Sequence, residues 1–89
     1  MVVIYVLESE KDGRWYTGMA IHATSRLHEH NSGKNRFTKS HLPWKIIYLE
    51  NCADWKAVRI REKYLKSAAG KRWLVKMLNS NENTGSLPD

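Results

Sequence analysis

The chain predicts a small α/β (α+β) fold, one sheet covered by helices, in the order β-β-α-β-α-α. Three observations carry that expectation. Residues 2–8, VVIYVLE, are β-branched and aromatic with almost no alternation, the pattern of a central strand covered on both faces. A polar connection ending in Asp12-Gly13 then returns the chain as a hairpin. Two later stretches place large apolar residues at helical spacing, which supplies a covering layer.

In chain order, Trp15, Tyr16 and Thr17 read as the returning strand, stopped by Gly18. Ala23 to Asn31 is a helix with Ala23, Leu27 and His30 inward and no strong N-cap; Asn31-Ser32-Gly33 ends it. Residues 34–41 form a basic loop, and Pro43 fixes its exit. Trp44 to Glu50 is a third strand, with Trp44, Ile46 and Tyr48 on one side and Ile47 and Leu49 on the other. Asp54 caps a helix reaching about Ser67, whose inward members are Trp55, Val58 and Leu65. The remaining inward slot holds Glu62. A carboxylate there costs free energy unless it is paired, hydrogen-bonded or bound to a metal. Gly70 separates this helix from a last one over Lys71–Leu78, which packs through Trp73, Leu74 and Met77. Residues 1–78 therefore form one domain, and residues 79–89 read as a disordered tail.

Composition bounds the function. A chain of 89 residues is one small domain that can fold alone. The single Cys52 excludes an internal disulfide and a four-thiolate zinc site. The apolar start has neither a basic region before it nor a small-residue cleavage site after it, and no run approaches the roughly 20 apolar residues of a membrane span. A cytoplasmic protein is expected. The net charge of +6 is uneven: between Lys56 and Lys76 lie eight lysines and arginines and one acid, Glu62. Such a surface suits a polyanion, most often nucleic acid.

Arg26 and His30 stand four apart on the first helix, hence on one face. A fixed positive charge is thereby paired with a group that exchanges protons near neutral pH. That pairing suits a phosphate ester whose charge grows during attack. Duller roles exist for the same residues: Arg26 can pair with Glu29 or Glu8, and Glu62 with Arg59 or Lys66. His28 and His30, two apart, point in different directions and make a poor zinc pair.

In their order and spacing these residues resemble the GIY-YIG nuclease family. Val3-Ile4-Tyr5 and Tyr16-Thr17-Gly18 stand for the two tripeptides, Arg26 to Gly33 (RLHEHNSG) for the helix segment, and Thr38 with Pro43-Trp44 for the approach to the third strand. Ala57, Glu62 and Lys66 follow, so the resemblance covers roughly residues 2–78. Val3 replaces the first glycine, Thr17 the second isoleucine, and His22 an acidic or amide helix cap. The resemblance implies a three-stranded antiparallel sheet flanked by helices and metal-dependent hydrolysis of a nucleic-acid phosphodiester. It implies Tyr5 and Tyr16 as site tyrosines, Arg26 as the catalytic arginine, His30 as base or water-orienting group, and Glu62 as ligand of one Mg²⁺ or Mn²⁺. Proton affinity alone favours His30 over a phenol as the base, and the resemblance leaves tyrosine open. Lys34, Arg36, Lys39, Lys45, Arg59, Arg61, Lys63, Lys71 and Arg72 are then phosphate contacts, which position a substrate without reading its bases. The expected activity is an endonuclease, DNA favoured and RNA open, with weak sequence specificity and a leaning toward single strands, flaps or branches. Trp15 and Phe37 are the aromatics best suited to stack on bases. The alternative is a non-catalytic nucleic-acid-binding module. A monomer is expected, with a homodimer left open.

Overall fold

The computed structural model describes the backbone of residues 2–85 and the side chains of residues 2–79. Strands β1 (Val2–Ser9), β2 (Trp15–Ala20) and β3 (Trp44–Cys52) form an antiparallel sheet in the order β2-β1-β3. Helices α1 (Ala23–Asn31), α2 (Trp55–Lys66) and α3 (Ala68–Gly85) flank it, and a short 3-10 turn covers Thr38–His41. The near-continuous apolar run is thus the central strand. Its two faces belong to two cores. Val2 and Ile4 meet Cys52, Val58 and Leu65 beneath α2, while Tyr5 and Leu7 meet Ala20, Ala23 and Trp44 beside α1.

The hairpin and the helix ends form as their residues dictate. Gly13 and Gly33 adopt φ of +77° and +82°, which close the hairpin and end α1. Asp54 caps α2 by accepting from the Ala57 amide at 2.8 Å, and His22 gives α1 no side-chain cap.

Five local expectations are corrected. β2 passes through Gly18 to Ala20, because Gly18 lies opposite Tyr5 and lets that ring sit against the backbone. β3 does not alternate throughout: a register shift opposite Val6/Leu7 leaves Ile47 unmatched. Trp44 and Ile46 therefore join the Tyr5 core, and Tyr48 joins the other. Trp55 is 43 % exposed; the buried stripe of α2 begins a turn later, at Val58. The break between α2 and α3 is Ser67, in extended backbone, whose Oγ accepts from the Gly70 amide at 3.1 Å. Gly70 lies inside α3, where a Cβ would run into the Tyr64 carbonyl, so it permits the tight packing of the two helices. Finally, α3 continues to Gly85, over the first part of the segment read as a tail; residues 86–89 lie outside the described residues.

Candidate active site

Four of the expected residues meet on the α1 side of the sheet. Tyr5 projects from the central strand, Tyr16 from its neighbour, and Arg26 and His30 from α1. The Tyr5 hydroxyl lies 3.2 Å from His30 Nε2. The Tyr16 ring centre is 4.8 Å from that of His30 and 6.4 Å from that of Tyr5. Gly18 makes this approach possible, since a Cβ there would lie 2.5 Å from the Tyr5 hydroxyl oxygen.

His30 is 1 % exposed, and its second ring nitrogen, Nδ1, lies 3.0 Å from Thr38 Oγ1. Thr38 is itself fully buried and held from three sides. Its amide donates to Asn35 Oδ1 at 3.1 Å, and its carbonyl accepts from Trp44 Nε1 at 2.8 Å. Asn31 completes the frame, bonding both the amide (2.7 Å) and the carbonyl (3.0 Å) of Trp44 and so pinning α1 to the start of β3. The result is a buried chain, Tyr5–His30–Thr38, in which every polar atom has a partner.

Burial, and then the charge of Arg26, push the His30 imidazole below its ordinary pKa, so it is neutral at pH 7. Burial raises the Tyr5 phenol, and the nearby Arg26 guanidinium opposes that rise. A neutral imidazole bonded at both nitrogens can take a proton on one side while giving one on the other. Arg26 also pairs with Glu29 at 3.2 Å, the duller role foreseen for it. That pair is substantially exposed on both sides, is worth at most about 1 kcal/mol, and yields readily to a phosphate.

Glu62 is placed differently. It faces inward from α2 with its side chain 18 % exposed, and Lys66 neutralises it at 3.2 Å across one helical turn. No hydrogen bond or ion pair joins it to Tyr5, Tyr16, Arg26 or His30 among the described residues. The link is indirect: Lys66 lines a groove of about 370 Å³ together with Trp15, Tyr16, Phe37 and Lys71. No group of three or more His, Cys, Asp or Glu among the described residues could hold a metal ion. One carboxylate with waters and phosphate oxygens is nevertheless a normal donor set for Mg²⁺, which keeps much of its hydration. The residues present fit one such ion, provided Lys66 gives way.

The basic residues divide by what they already hold. Lys34, Arg36, Lys39, Arg59, Lys63, Lys71 and Arg72 are exposed. Lys45 pairs with Glu8 at 3.6 Å. Arg61 is committed elsewhere: its Nε donates to both Glu50 oxygens, at 2.9 and 3.2 Å, and its guanidinium lies over Trp73 and Tyr64. Its expected role as a phosphate contact therefore gives way to a structural one. Lys66, Thr38 and Asn35 were not singled out as site residues from the sequence. Thr38 carries a signal in its spacing from Pro43-Trp44, and Lys66 in its place one helical turn after Glu62; Asn35 carries none.

The chain has similar proteins among those already known. A UPF0213 protein of Syntrophus aciditrophicus is 40 % identical over 77 residues, covering 82 % of this chain and 87 % of that one. A UPF0213 protein of Desulfotalea psychrophila is 36 % identical over 77 residues, covering 82 % and 69 %. The solution NMR structure of a UPF0213 protein from Bacillus halodurans superposes with a TM-score of 0.49 at 29 % identity, covering 86 % of this chain and 85 % of that one. The profile of the GIY-YIG catalytic domain matches residues 1–76, and the chain belongs to that family.

Proposed function

We propose that the protein is a metal-dependent endonuclease that hydrolyses nucleic-acid phosphodiester bonds, DNA favoured, with little sequence selectivity. The observation that carries this reading is the meeting of two phenols, a neutral imidazole and a guanidinium on one face of the sheet. Hydrolysis needs an aligned water, a group to take its proton, and cationic stabilisation of the phosphorane-like transition state. Arg26 supplies the stabilisation, its planar fork matching two phosphate oxygens.

Burial sorts the remaining roles. Tyr5 and His30 are each 1 % exposed, so neither meets a bulk water directly, whereas Tyr16 is half-buried and lines the open groove. Tyr16 is therefore the group that faces the water. Tyr5, His30 and Thr38 form a hydrogen-bonded set behind it, which fixes the His30 ring 4.8 Å from that of Tyr16; the proton of the attacking water passes to Tyr16. This revises the preference for His30 as the direct base: proton affinity favoured it, and access does not. One Mg²⁺ or Mn²⁺ on Glu62 would polarise the phosphate and ease departure of the leaving oxygen. The exposed cations, Lys34, Arg36, Lys39, Arg59, Lys63, Lys71 and Arg72, track the backbone.

The ion pair between Glu62 and Lys66 favours a second reading, a binding module whose acid serves only its own helix. Nicking of labelled DNA and RNA with and without Mg²⁺ separates the two. Under the favoured reading, Arg26→Ala and Glu62→Ala abolish metal-dependent cleavage and keep most of the binding. A wild type that binds but cuts nothing across Mg²⁺ and Mn²⁺ establishes the module.

A further inference from the structure

The groove beside the tyrosines is lined unlike a surface that handles phosphate alone. Its volume is about 370 Å³, and Trp15, Tyr16, Phe37, Leu65, Lys66 and Lys71 line it. Phe37 is 51 % exposed, yet its loop is tied down: Asn35 Oδ1 accepts from the Phe37 amide at 2.9 Å and from the Thr38 amide at 3.1 Å. The ring is thereby held out over the groove, 6.0 Å from Tyr16 and 5.7 Å from His41. Trp15 is fixed by its edge, the indole N–H donating to Glu8 Oε2 at 3.0 Å. The Tyr16 and Phe37 rings, with Lys66 and Lys71 in the same groove, form a stacking platform on a cationic track, the combination that binds single strands without reading sequence.

We propose that this groove seats an unpaired nucleobase of the substrate, so that the protein acts on single-stranded or locally unpaired nucleic acid. The inference rests on the nuclease reading of the adjoining site and narrows its substrate class. Tyr16 belongs to both, its ring lying 4.8 Å from that of His30 and forming part of the groove wall, so a base stacked on Phe37 sits beside the reacting centre. A base inside a duplex has both faces covered by its neighbours and offers nothing to Phe37. Selectivity for unpaired substrate thus comes from stacking, and the lysines serve paired and unpaired strands alike.

Binding without metal tests this separately from cleavage. Anisotropy of labelled single-stranded DNA, single-stranded RNA and duplex DNA is measured in EDTA for wild type, Phe37→Ala, Phe37→Trp and, as a control remote from the groove, Ile60→Ala. The expected result is a loss of about tenfold or more on a single strand for Phe37→Ala. Duplex affinity should change little, and Phe37→Trp should restore the single-strand binding. Loss confined to the DNA strand, to the RNA strand or to both supports the groove and assigns the sugar. Equal loss on duplex and single strands, or no loss on any probe, overturns it. Selective loss in a protein that cuts nothing keeps the groove and removes the nuclease. Cleavage of duplex and single strands at equal rates, unaffected by Phe37→Ala, keeps the nuclease and removes the groove.

Discussion

At the scale of single residues, the burial that makes His30 useful also makes the fold sensitive to acid. Unfolded, the imidazole titrates near 6.5; folded, burial and Arg26 hold it lower. Between those two values the unfolded chain binds a proton that the native one refuses. Stability is therefore full above about pH 6.5 and falls as the pH drops through it. The urea midpoint of the wild type should drop more between pH 7.5 and 5.5 than that of His30→Gln, which starts lower and stays flatter. Equal slopes would show that His30 is not the group responsible. Thr38→Val removes the partner of Nδ1 at nearly constant volume and should cost about 1–3 kcal/mol, read from the same midpoint at pH 7.5. Arg26→Lys keeps the charge and loses the fork. Cleavage by it should fall by roughly two orders of magnitude, measured as single-turnover rate, while affinity for the strand holds.

Among the elements, the tightest constraints are two glycines that the sequence reads as stops. Gly18 is a strand residue whose missing Cβ makes room for the Tyr5 ring. Gly18→Ala should destabilise by about 1–3 kcal/mol and displace the Tyr5 hydroxyl from His30, so stability and cleavage fall together. Gly70 plays the same part between α2 and α3, where the actual break is capped by Ser67. Ser67→Ala should lower stability by about 1 kcal/mol in urea melts, the usual worth of an N-cap, and leave nucleic-acid binding intact. Helix spacing placed Val58 and Leu65 correctly because a buried stripe repeats at fixed angles. It misplaced Trp55, since the same angles do not say where along the helix its support begins.

Over the whole molecule, the net charge of +6 makes association with nucleic acid depend on salt. The logarithm of affinity should fall linearly with that of salt concentration. Lys71→Ala, which removes an exposed cation at the groove, should shallow the slope by roughly one and weaken all sequences alike. Arg61→Ala should leave the slope unchanged and lower stability instead, because that guanidinium already serves Glu50, Trp73 and Tyr64. Among the described residues no helix is long and apolar enough to cross a membrane.

The sequence by itself determined the element order, the central place of β1 and the pairing of Arg26 with His30 on one helix face. These follow from short-range periodicity, which local backbone geometry enforces whatever the surroundings. It also held the ordered set of site residue types, legible because their spacing is written along the chain. What only the tertiary structure decided was access and partnership. Tyr5 and His30 are sealed while Tyr16 is open; Thr38 reaches His30 from eight residues away; Arg61 is matched by Glu50. Burial depends on what packs over a residue from distant parts of the chain, and a bulge at Ile47 can turn a strand over. No local pattern records either.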